Sequence, residues 1–163
     1  MKYVVSEKEE IVLDFGDIGN SFFLIGLLNE FVNQLQTVGD SFFEEISWKQ
    51  CFVLICMKAF LTPPTINELS QVVGCSHQNL KQILIKLEKA GFVQFEQDTV
   101  DKRKQRIVLT KKTMEFSEKN DKPSAEFMSE LFQKVEPQEL QVTIATIQKL
   151  DEQIKKMRTK EWR

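Results

Sequence analysis

The sequence contains little glycine, proline, cysteine or histidine, and it has no long apolar run. Six Gly and four Pro among 163 residues exclude a collagen-like or low-complexity chain, and 42% hydrophobic with 28% charged residues is typical of a folded globular domain. The longest runs without Asp, Glu, Lys or Arg are residues 18–29 and 69–80, each shorter than the roughly 20 apolar residues that a membrane-spanning helix needs. The first ten residues carry acids where a signal peptide needs an apolar stretch. We therefore expect a cytoplasmic protein with no membrane partner.

The three cysteines, Cys51, Cys56 and Cys75, do not indicate a disulfide framework. One of them stays unpaired in any scheme, and on a helix the side chains of Cys51 and Cys56 would point about 140° apart. Together with the single histidine, His77, their spacings match no common zinc pattern. We expect a reducing compartment, no metal and no cofactor. A regulator that senses oxidants through one of these thiols stays open as an alternative.

Residues that would carry enzyme chemistry are also scarce. His77 is the only histidine, and no Ser-His or Cys-His pair can be assigned to it. Gly16, Gly19 and Gly26 do not form a phosphate-binding loop. The sequence therefore predicts a protein that is not an enzyme.

The net charge of −2 conceals a segregation of charge along the chain. Residues 1–60 hold four Lys and no Arg against nine acids, whereas residues 77–112 hold nine Lys or Arg against four acids. A basic segment on an acidic body is an electrostatic footprint for a polyanion such as double-stranded DNA. A solvated lysine-rich surface is the alternative reading of the charges alone.

Two capping boxes mark the beginnings of two helices. Ser47-Trp-Lys-Gln50 and Thr65-Ile-Asn-Glu68 each place a hydroxyl three residues before a side chain that can reach back to its amide. The first helix is expected to end near Phe60, because two prolines follow at 63 and 64. The second is short and ends at Val73.

The residues after Val73 predict a helix-turn-helix. Gly74 supplies the left-handed residue that closes the short helix, and Ser76 can cap a new helix over 77–90 that Gly91 terminates. Two helices joined by about three residues that include a Gly are the helix-turn-helix unit. Residues 92–97 and 106–110 then alternate as two strands around a polar loop. A hairpin directly after the second helix makes a winged helix.

Apolar helices flank this unit. Residues 21–38 repeat apolar side chains at steps of three and four, and Gly39-Asp40 is expected to break that helix. A further helix from Met114 is expected to be interrupted or kinked at 120–123, and Glu136-Pro137 begins the last one. The last helix carries a heptad-like seam that requires a partner helix. Its members are Leu140, Ile144, Ile147, Leu150, Ile154 and Met157.

The second helix of the motif has one apolar and one polar side. Leu80, Ile83, Leu84 and Leu87 cluster on the side that we expect to be buried. Gln and Asn suit bidentate contact with adenine, and Lys can meet guanine or phosphate. The loop of the hairpin presents three cations in a row, with Asp101 expected to orient Arg103 or cap the turn. The predicted DNA-contacting residues are Ser76, His77, Gln78, Asn79, Lys81, Gln82, Lys86, Lys102, Arg103 and Lys104.

Segments 46–54, 65–70 and 84–91, and above all Asp101-Lys-Arg103 followed by Ile-Val-Leu-Thr at 107–110, resemble the MarR family of bacterial transcription regulators. The resemblance covers residues 20–157. It implies an obligate homodimer whose first and last helices form a triangular body, with two winged-helix lobes that read a pseudo-palindrome. It also implies that Arg103 enters the minor groove and that many relatives are repressors released by phenolic or other small ligands, or by thiol oxidation. Thr113 departs from the family where a Gly is usual, and Gln82 where an Arg is common.

The sequence as a whole predicts a mainly α fold with a small β-hairpin wing. Residues 46–112 would form the winged helix-turn-helix domain, and residues 1–45 and 113–163 the helical dimerisation region. The expected function is that of a homodimeric, sequence-specific DNA-binding repressor released by a small hydrophobic or phenolic effector; a winged helix used for protein interaction is an alternative. Six phenylalanines fall in helices that would enclose such an effector, although core packing also explains most of them: Phe22, Phe23, Phe42, Phe43, Phe52 and Phe60.

Overall fold

The computed structural model describes residues 2–4, 12–14, 16 and 18–158. Within these residues it contains six α-helices and four strands, and none of its helices is long and apolar enough to cross a membrane. The elements are β1 (Lys2–Val4), β2 (Val12–Asp14), α1 (Asn20–Asp40), α2 (Trp48–Lys58), α3 (Ile66–Val73), α4 (His77–Lys89), β3 (Val93–Gln97), β4 (Gln105–Leu109), α5 (Lys111–Leu131) and α6 (Pro137–Met157). The chain divides into two compact units, residues 1–114 and 115–163.

The first unit begins with two short strands and a long helix. β1 and β2 pair antiparallel, with Lys2 opposite Asp14. α1 ends at Asp40, two residues beyond the expected end at Val38, and Gly39 is buried within it. A Cβ at Gly39 would lie 2.3 Å from the Trp48 ring. Glycine at this position therefore allows α2 to pack closely on α1.

The predicted capping boxes of α2 and α3 are both confirmed. The amide of Ser47 donates to Gln50 Oε1 at 2.8 Å, and the amide of Thr65 donates to Glu68 Oε2 at 2.7 Å. Each box satisfies amide groups that a helix leaves without an intrahelical partner.

The turn between α3 and α4 also forms as predicted. Gly74 has a φ of 73°, and the amide of Asn79 donates to the Ser76 hydroxyl at 3.2 Å. These local interactions fix where α4 begins and therefore which of its residues lie at its exposed N-terminal end.

The winged helix has its own apolar core. β3 and β4 pair antiparallel with Val93 opposite Leu109 and Phe95 opposite Ile107, so these four side chains share one face of the predicted hairpin. The side chains of this core that are almost completely inaccessible to solvent are Val53, Leu69, Leu80, Leu84, Leu87, Phe92, Val93 and Ile107. The predicted mainly α fold with a β-hairpin wing is confirmed.

Three side chains after β4 tie down the turn between α4 and β3. The Thr110 hydroxyl donates to the carbonyl of Gly91 at 2.6 Å, and Lys112 Nζ donates to the carbonyl of Ala90 at 3.0 Å. The buried hydroxyl of Thr113 donates to the carbonyl of Phe92. Thr113, where the resembling family usually has Gly, therefore helps to hold the turn that connects α4 to β3.

The helices that follow differ from expectation at one point. The helix is not interrupted at 120–123, because α5 runs from Lys111 to Leu131 with Pro123 inside it; a kink at these residues stays a prediction. Proline removes one backbone hydrogen bond from a helix, and the turns on both sides of Pro123 keep theirs. α6 begins as predicted, with Glu136 as N-cap and Pro137 in its first turn. None of the residues of α6 is buried.

Candidate nucleic-acid interface

Helix α4 separates its apolar and polar residues onto opposite sides. Leu80, Ile83, Leu84 and Leu87 are buried, as predicted. The amphipathic pattern therefore fixes the rotation of α4 about its axis, and its polar side faces solvent.

All ten predicted DNA-contacting residues are exposed. Seven of them lie on α4 or at its N-cap, and Lys102, Arg103 and Lys104 lie in the loop between β3 and β4. Ser76 has a second role, because its hydroxyl accepts the amide of Asn79.

A groove of about 800 Å³ separates α4 from the wing and from the N-terminal end of α3. It is lined by four of the predicted residues, His77 and Lys81 from α4 and Arg103 and Lys104 from the wing. Its remaining lining residues are Thr65, Ile66, Asn67, Glu68, Ile85, Glu88, Phe95, Gln105 and Arg106. The half-buried Ile85 lies in this groove together with Phe95, in agreement with the packing role that its apolar side chain indicates.

At the tip of the wing, Asp101 contacts two of the three cations. Its Oδ1 accepts the amide of Arg103 at 3.2 Å and Arg103 Nε at 3.3 Å, and its Oδ2 lies 3.6 Å from Lys104 Nζ. The hydrogen bond from the Arg103 amide, supported by its guanidinium, lowers the pKa of Asp101. The Arg103 side chain is 93% exposed. The Asp101 carboxylate therefore holds the backbone of Arg103 in place, and the Arg103 side chain extends into solvent.

Three residues near the wing carry interactions that the sequence analysis did not assign. Arg106 Nε donates to Asp98 Oδ2 at 2.5 Å, and Arg106 Nη1 donates to Glu68 Oε2 at 3.0 Å. The amide of Asp101, then Arg106 and the amide of Val100, lower the pKa of Asp98 to about 2. The capping-box signal at Glu68 indicated that its carboxylate is held in place, but not that it contacts residue 106.

A second, smaller cavity of about 360 Å³ lies between the C-terminal end of α2, the residues before α3, and β4. Phe60 is the one member of the predicted effector set that lines it. Of the others, Phe43 is buried in the core, and Phe22 and Phe52 are exposed. The other lining residues are Met57, Lys58, Leu61, Thr62, Pro63, Pro64, Ile107, Val108, Leu109 and Met114.

The cysteines are free thiols in the structure, and Cys56 is buried. Burial raises the pKa of both Cys51 and Cys56, which lowers the fraction of reactive thiolate at neutral pH. Among the described residues, no three His, Cys, Asp or Glu side chains are grouped so that they could hold a metal ion.

Comparison with known proteins finds a family model that matches part of the chain and solved structures of similar fold. Residues 46–104 match the sequence model of the MarR family. The chain is similar in structure to a MarR/EmrR family transcriptional regulator from Acinetobacter sp. ADP1, with a TM-score of 0.76 and 17% identity over 86% of this chain and 100% of that one.

Two further solved structures are similar to the chain. One is S. aureus MepR in a complex with DNA, with a TM-score of 0.71 and 18% identity over 83% of this chain and 99% of that one. The other is Bordetella bronchiseptica BpsR, described with a mechanism for regulation of its DNA binding by 6-hydroxynicotinic acid, with a TM-score of 0.70 and 14% identity over 83% and 98% of the two chains. No curated protein sequence matches the chain.

Residues 46–104 therefore match the MarR family model, and the chain has the winged-helix fold of the solved MarR-family structures. The resemblance that the motifs around Asp101 and Arg103 indicated is confirmed.

Proposed function

We propose that the protein is a sequence-specific, DNA-binding transcriptional regulator that acts as a homodimer and represses from a pseudo-palindromic operator. The observation that carries the proposal is the common exposure of the N-terminal side chains of α4 and of the cations at the tip of the wing. His77 and Lys81 of the first set and Arg103 and Lys104 of the second line one groove, which supports binding of a single nucleic acid to both. The similar fold of S. aureus MepR, which was solved with DNA, supports this proposal.

The lysines of this surface and its base-contacting residues would have different roles. Lysines of α4 and of the wing would contact phosphates and hold the register of the protein on the duplex, which carries little sequence information. Gln78 and Asn79, in the first turn of α4, would reach base edges in the major groove. Arg103 would enter the minor groove, where the potential is more negative when the groove is narrow.

The dimer is proposed from apolar side chains that the described structure leaves exposed. On α1, Phe22 is 79% exposed and Ile25 is 52% exposed; on α6, Ile144 is 49% exposed. Large apolar surfaces of this kind mark interaction sites, and the heptad-like spacing on α6 suits a helix of a second copy. We accordingly propose residues 1–45 and 113–163 as the dimerisation region and 46–112 as the DNA-binding domain. A two-fold dimer would place two recognition helices about 34 to 36 Å apart, one helical turn of DNA.

The proposal is tested by selecting duplexes from a random-sequence pool and titrating the selected duplex at several salt concentrations. We expect a slope of log K against log salt of about −5 or steeper, since each neutralised phosphate contributes about −0.9. Gln78→Ala is expected to change the selected base preference while it leaves the slope unchanged, because a glutamine amide releases no counterions. A flat salt dependence, or no selected sequence, would contradict the proposal and favour a winged helix that binds another protein.

An effector site is proposed at the 360 Å³ cavity, whose size falls within the range of small-molecule sites. BpsR, which is similar in fold, is regulated by an aromatic carboxylate. The cavity adjoins β4, so an occupant there would shift the wing and weaken DNA binding.

Benzoate serves as the probe for this effector site in calorimetry. We expect millimolar benzoate to bind the wild-type protein and to weaken DNA binding. Leu61→Asp is expected to abolish benzoate binding without loss of folding, because the Leu61 side chain is fully exposed and a carboxylate there repels the probe. Equal binding to both proteins, or to neither, would place the effector site elsewhere or remove it.

Oxidant sensing through Cys51 or Cys56 is not favoured, whereas sensing through Cys75, the third thiol of that alternative, stays a prediction. A sensor thiol needs a lowered pKa and access to solvent, whereas burial raises the pKa of Cys51 and Cys56. We therefore do not assign either residue a regulatory role.

A further inference from the structure

Arg106 connects the wing to the beginning of helix α3. Its Nε donates to Asp98 Oδ2 at 2.5 Å. Asp98 directly follows β3, whereas Arg106 lies on β4. Its Nη1 donates to Glu68 Oε2 at 3.0 Å and to the carbonyl of Pro63 at 3.1 Å. One guanidinium thus links the wing loop to residues at the beginning of α3 that lie 38 and 43 positions earlier in the sequence.

The end of this link at α3 is fixed. Glu68 Oε2, the atom that receives Arg106, also accepts the amide of Thr65 at 2.7 Å and its hydroxyl at 2.9 Å. The amide of Ile107, next to Arg106, donates to the carbonyl of Pro64 at 2.9 Å. β4 is therefore held against the segment that precedes α3 at two adjacent residues.

The other end of the link leads to Arg103. Asp98 Oδ1 accepts the amides of Val100 and Asp101, each at 2.8 Å. Asp101 Oδ1 in turn accepts the amide of Arg103 at 3.2 Å. Consecutive hydrogen bonds thus run from Arg106 through two carboxylates to the backbone of Arg103.

Exposure and charge separate Arg106 from Arg103. The Arg106 side chain is 29% exposed, whereas that of Arg103 is 93% exposed. Arg106 faces Asp98 and Glu68, whose pKa values are both held below their usual range, chiefly by backbone hydrogen bonds. Both carboxylates are charged at neutral pH, so they compensate the Arg106 cation. Arg106 therefore contributes little to the attraction of phosphates.

We propose that Arg106 is a positioning residue that holds the wing loop in the orientation in which Arg103 meets DNA, and that Arg106 does not itself contact DNA. This inference rests on the proposed DNA-binding function. The competing role is direct contact with a phosphate, since Arg106 also lines the groove between α4 and the wing.

A double-mutant cycle with a selected duplex distinguishes the two roles. Arg106→Gln alone is expected to weaken binding by about tenfold, a loss within the usual range for coupled residues of one hydrogen-bond network. In the Arg103→Ala background, Arg106→Gln is expected to cause no further loss and no change in salt slope, because there is no Arg103 left to position. Direct contact predicts that the two losses multiply and that the slope becomes shallower by about 0.9, and this result would overturn the proposal.

Arg106→Lys provides a charge-matched variant. An ammonium group lacks the planar fork that meets Asp98 and Glu68 together, so we expect a loss similar to that of Arg106→Gln. Restoration of wild-type affinity by Lys would instead show that charge alone matters and would overturn the proposal. Thermal unfolding of each variant checks for a general loss of stability, which would lower the melting temperature and give multiplying losses without the change in salt slope that direct contact predicts.

Amide hydrogen exchange tests the positioning role without DNA. Arg106→Gln is expected to speed exchange at Val100, Asp101 and Arg103, while amides of α4 such as Leu84 keep their wild-type rates. Unchanged exchange in the wing would overturn the inference. Failure of the wild-type protein to bind any duplex would remove the proposed function, and the exchange rates would then decide whether Arg106 orders the loop.

Discussion

Replacing Arg103 with alanine is expected to weaken binding to a selected duplex by about 30-fold or more, because an arginine that reads DNA contributes about 1 to 3 kcal/mol and each of two wings loses one. The Arg103 side chain is 93% exposed, and its backbone amide donates to Asp101. Removal of the side chain should therefore leave the fold and the dimer intact. Fluorescence anisotropy titration measures the affinity, and sedimentation velocity checks the oligomeric state.

Lys122→Ala is the matched control for Arg103→Ala. Lys122 lies on α5, outside the winged helix, and its side chain is 88% exposed. The control also removes one exposed cation, and we expect it to change the affinity less than about twofold, because Lys122 is not part of the proposed DNA-binding surface and salt screens exposed charges. Equal effects of the two substitutions would mean that only net charge matters and that the wing has no specific role.

Replacing Ile147 with glutamate is expected to dissociate the dimer. Ile147 lies in the middle of the apolar seam of α6 and is 37% exposed in the single chain. The two-fold axis would place a glutamate on both sides of the interface, and an uncompensated buried charge costs about 3 to 5 kcal/mol. The dissociation constant should rise by about 100-fold or more, and DNA binding should weaken with it because a monomer carries only one recognition helix.

Ala145→Glu introduces the same charge on the opposite side of α6. Ala145 is exposed and lies about 160° around the helix from Ile147, so we expect this variant to remain a dimer. Sedimentation equilibrium compares the two variants. An Ile147→Glu protein that remains dimeric, or a wild-type protein that is monomeric at micromolar concentration, would remove α6 from the interface.

Local hydrogen bonding explains why much of the winged helix could be predicted from the sequence. The boxes at Ser47 and Thr65 and the left-handed Gly74 each depend on residues within a few positions of one another. The alternation of Val93 with Phe95 likewise places both side chains on one face of the hairpin. Such signals require no knowledge of the rest of the chain, and they fixed the exposed side of α4.

The features that were missed depend on contacts between distant residues. Gly39 looks like a helix breaker until Trp48 is seen to pack where its Cβ would lie. Pro123 similarly does not end α5, since the helix extends far enough on both sides to tolerate one missing hydrogen bond. Composition alone cannot separate glycine that ends a helix from glycine that admits a neighbouring ring.

The same limit applies to the candidate site. Arg103 and Arg106 are three residues apart and add equally to a count of basic residues. The structure divides them, because Arg106 meets Glu68, 38 residues away, and Asp98 across the wing. A carboxylate 38 residues before a basic run gives no local signal. Only the folded structure therefore shows which arginine side chain extends into solvent and can reach a ligand.

Site-specific photocrosslinking to a selected duplex tests the central claim most directly. A benzophenone amino acid is placed at Gln82 on α4, at Lys104 in the wing and, as a control, at Lys122 on α5. We predict covalent DNA adducts from positions 82 and 104 and none from 122. Adducts from 122 alone, or retained DNA binding with no adduct from either 82 or 104, would show that another surface of the protein binds the duplex.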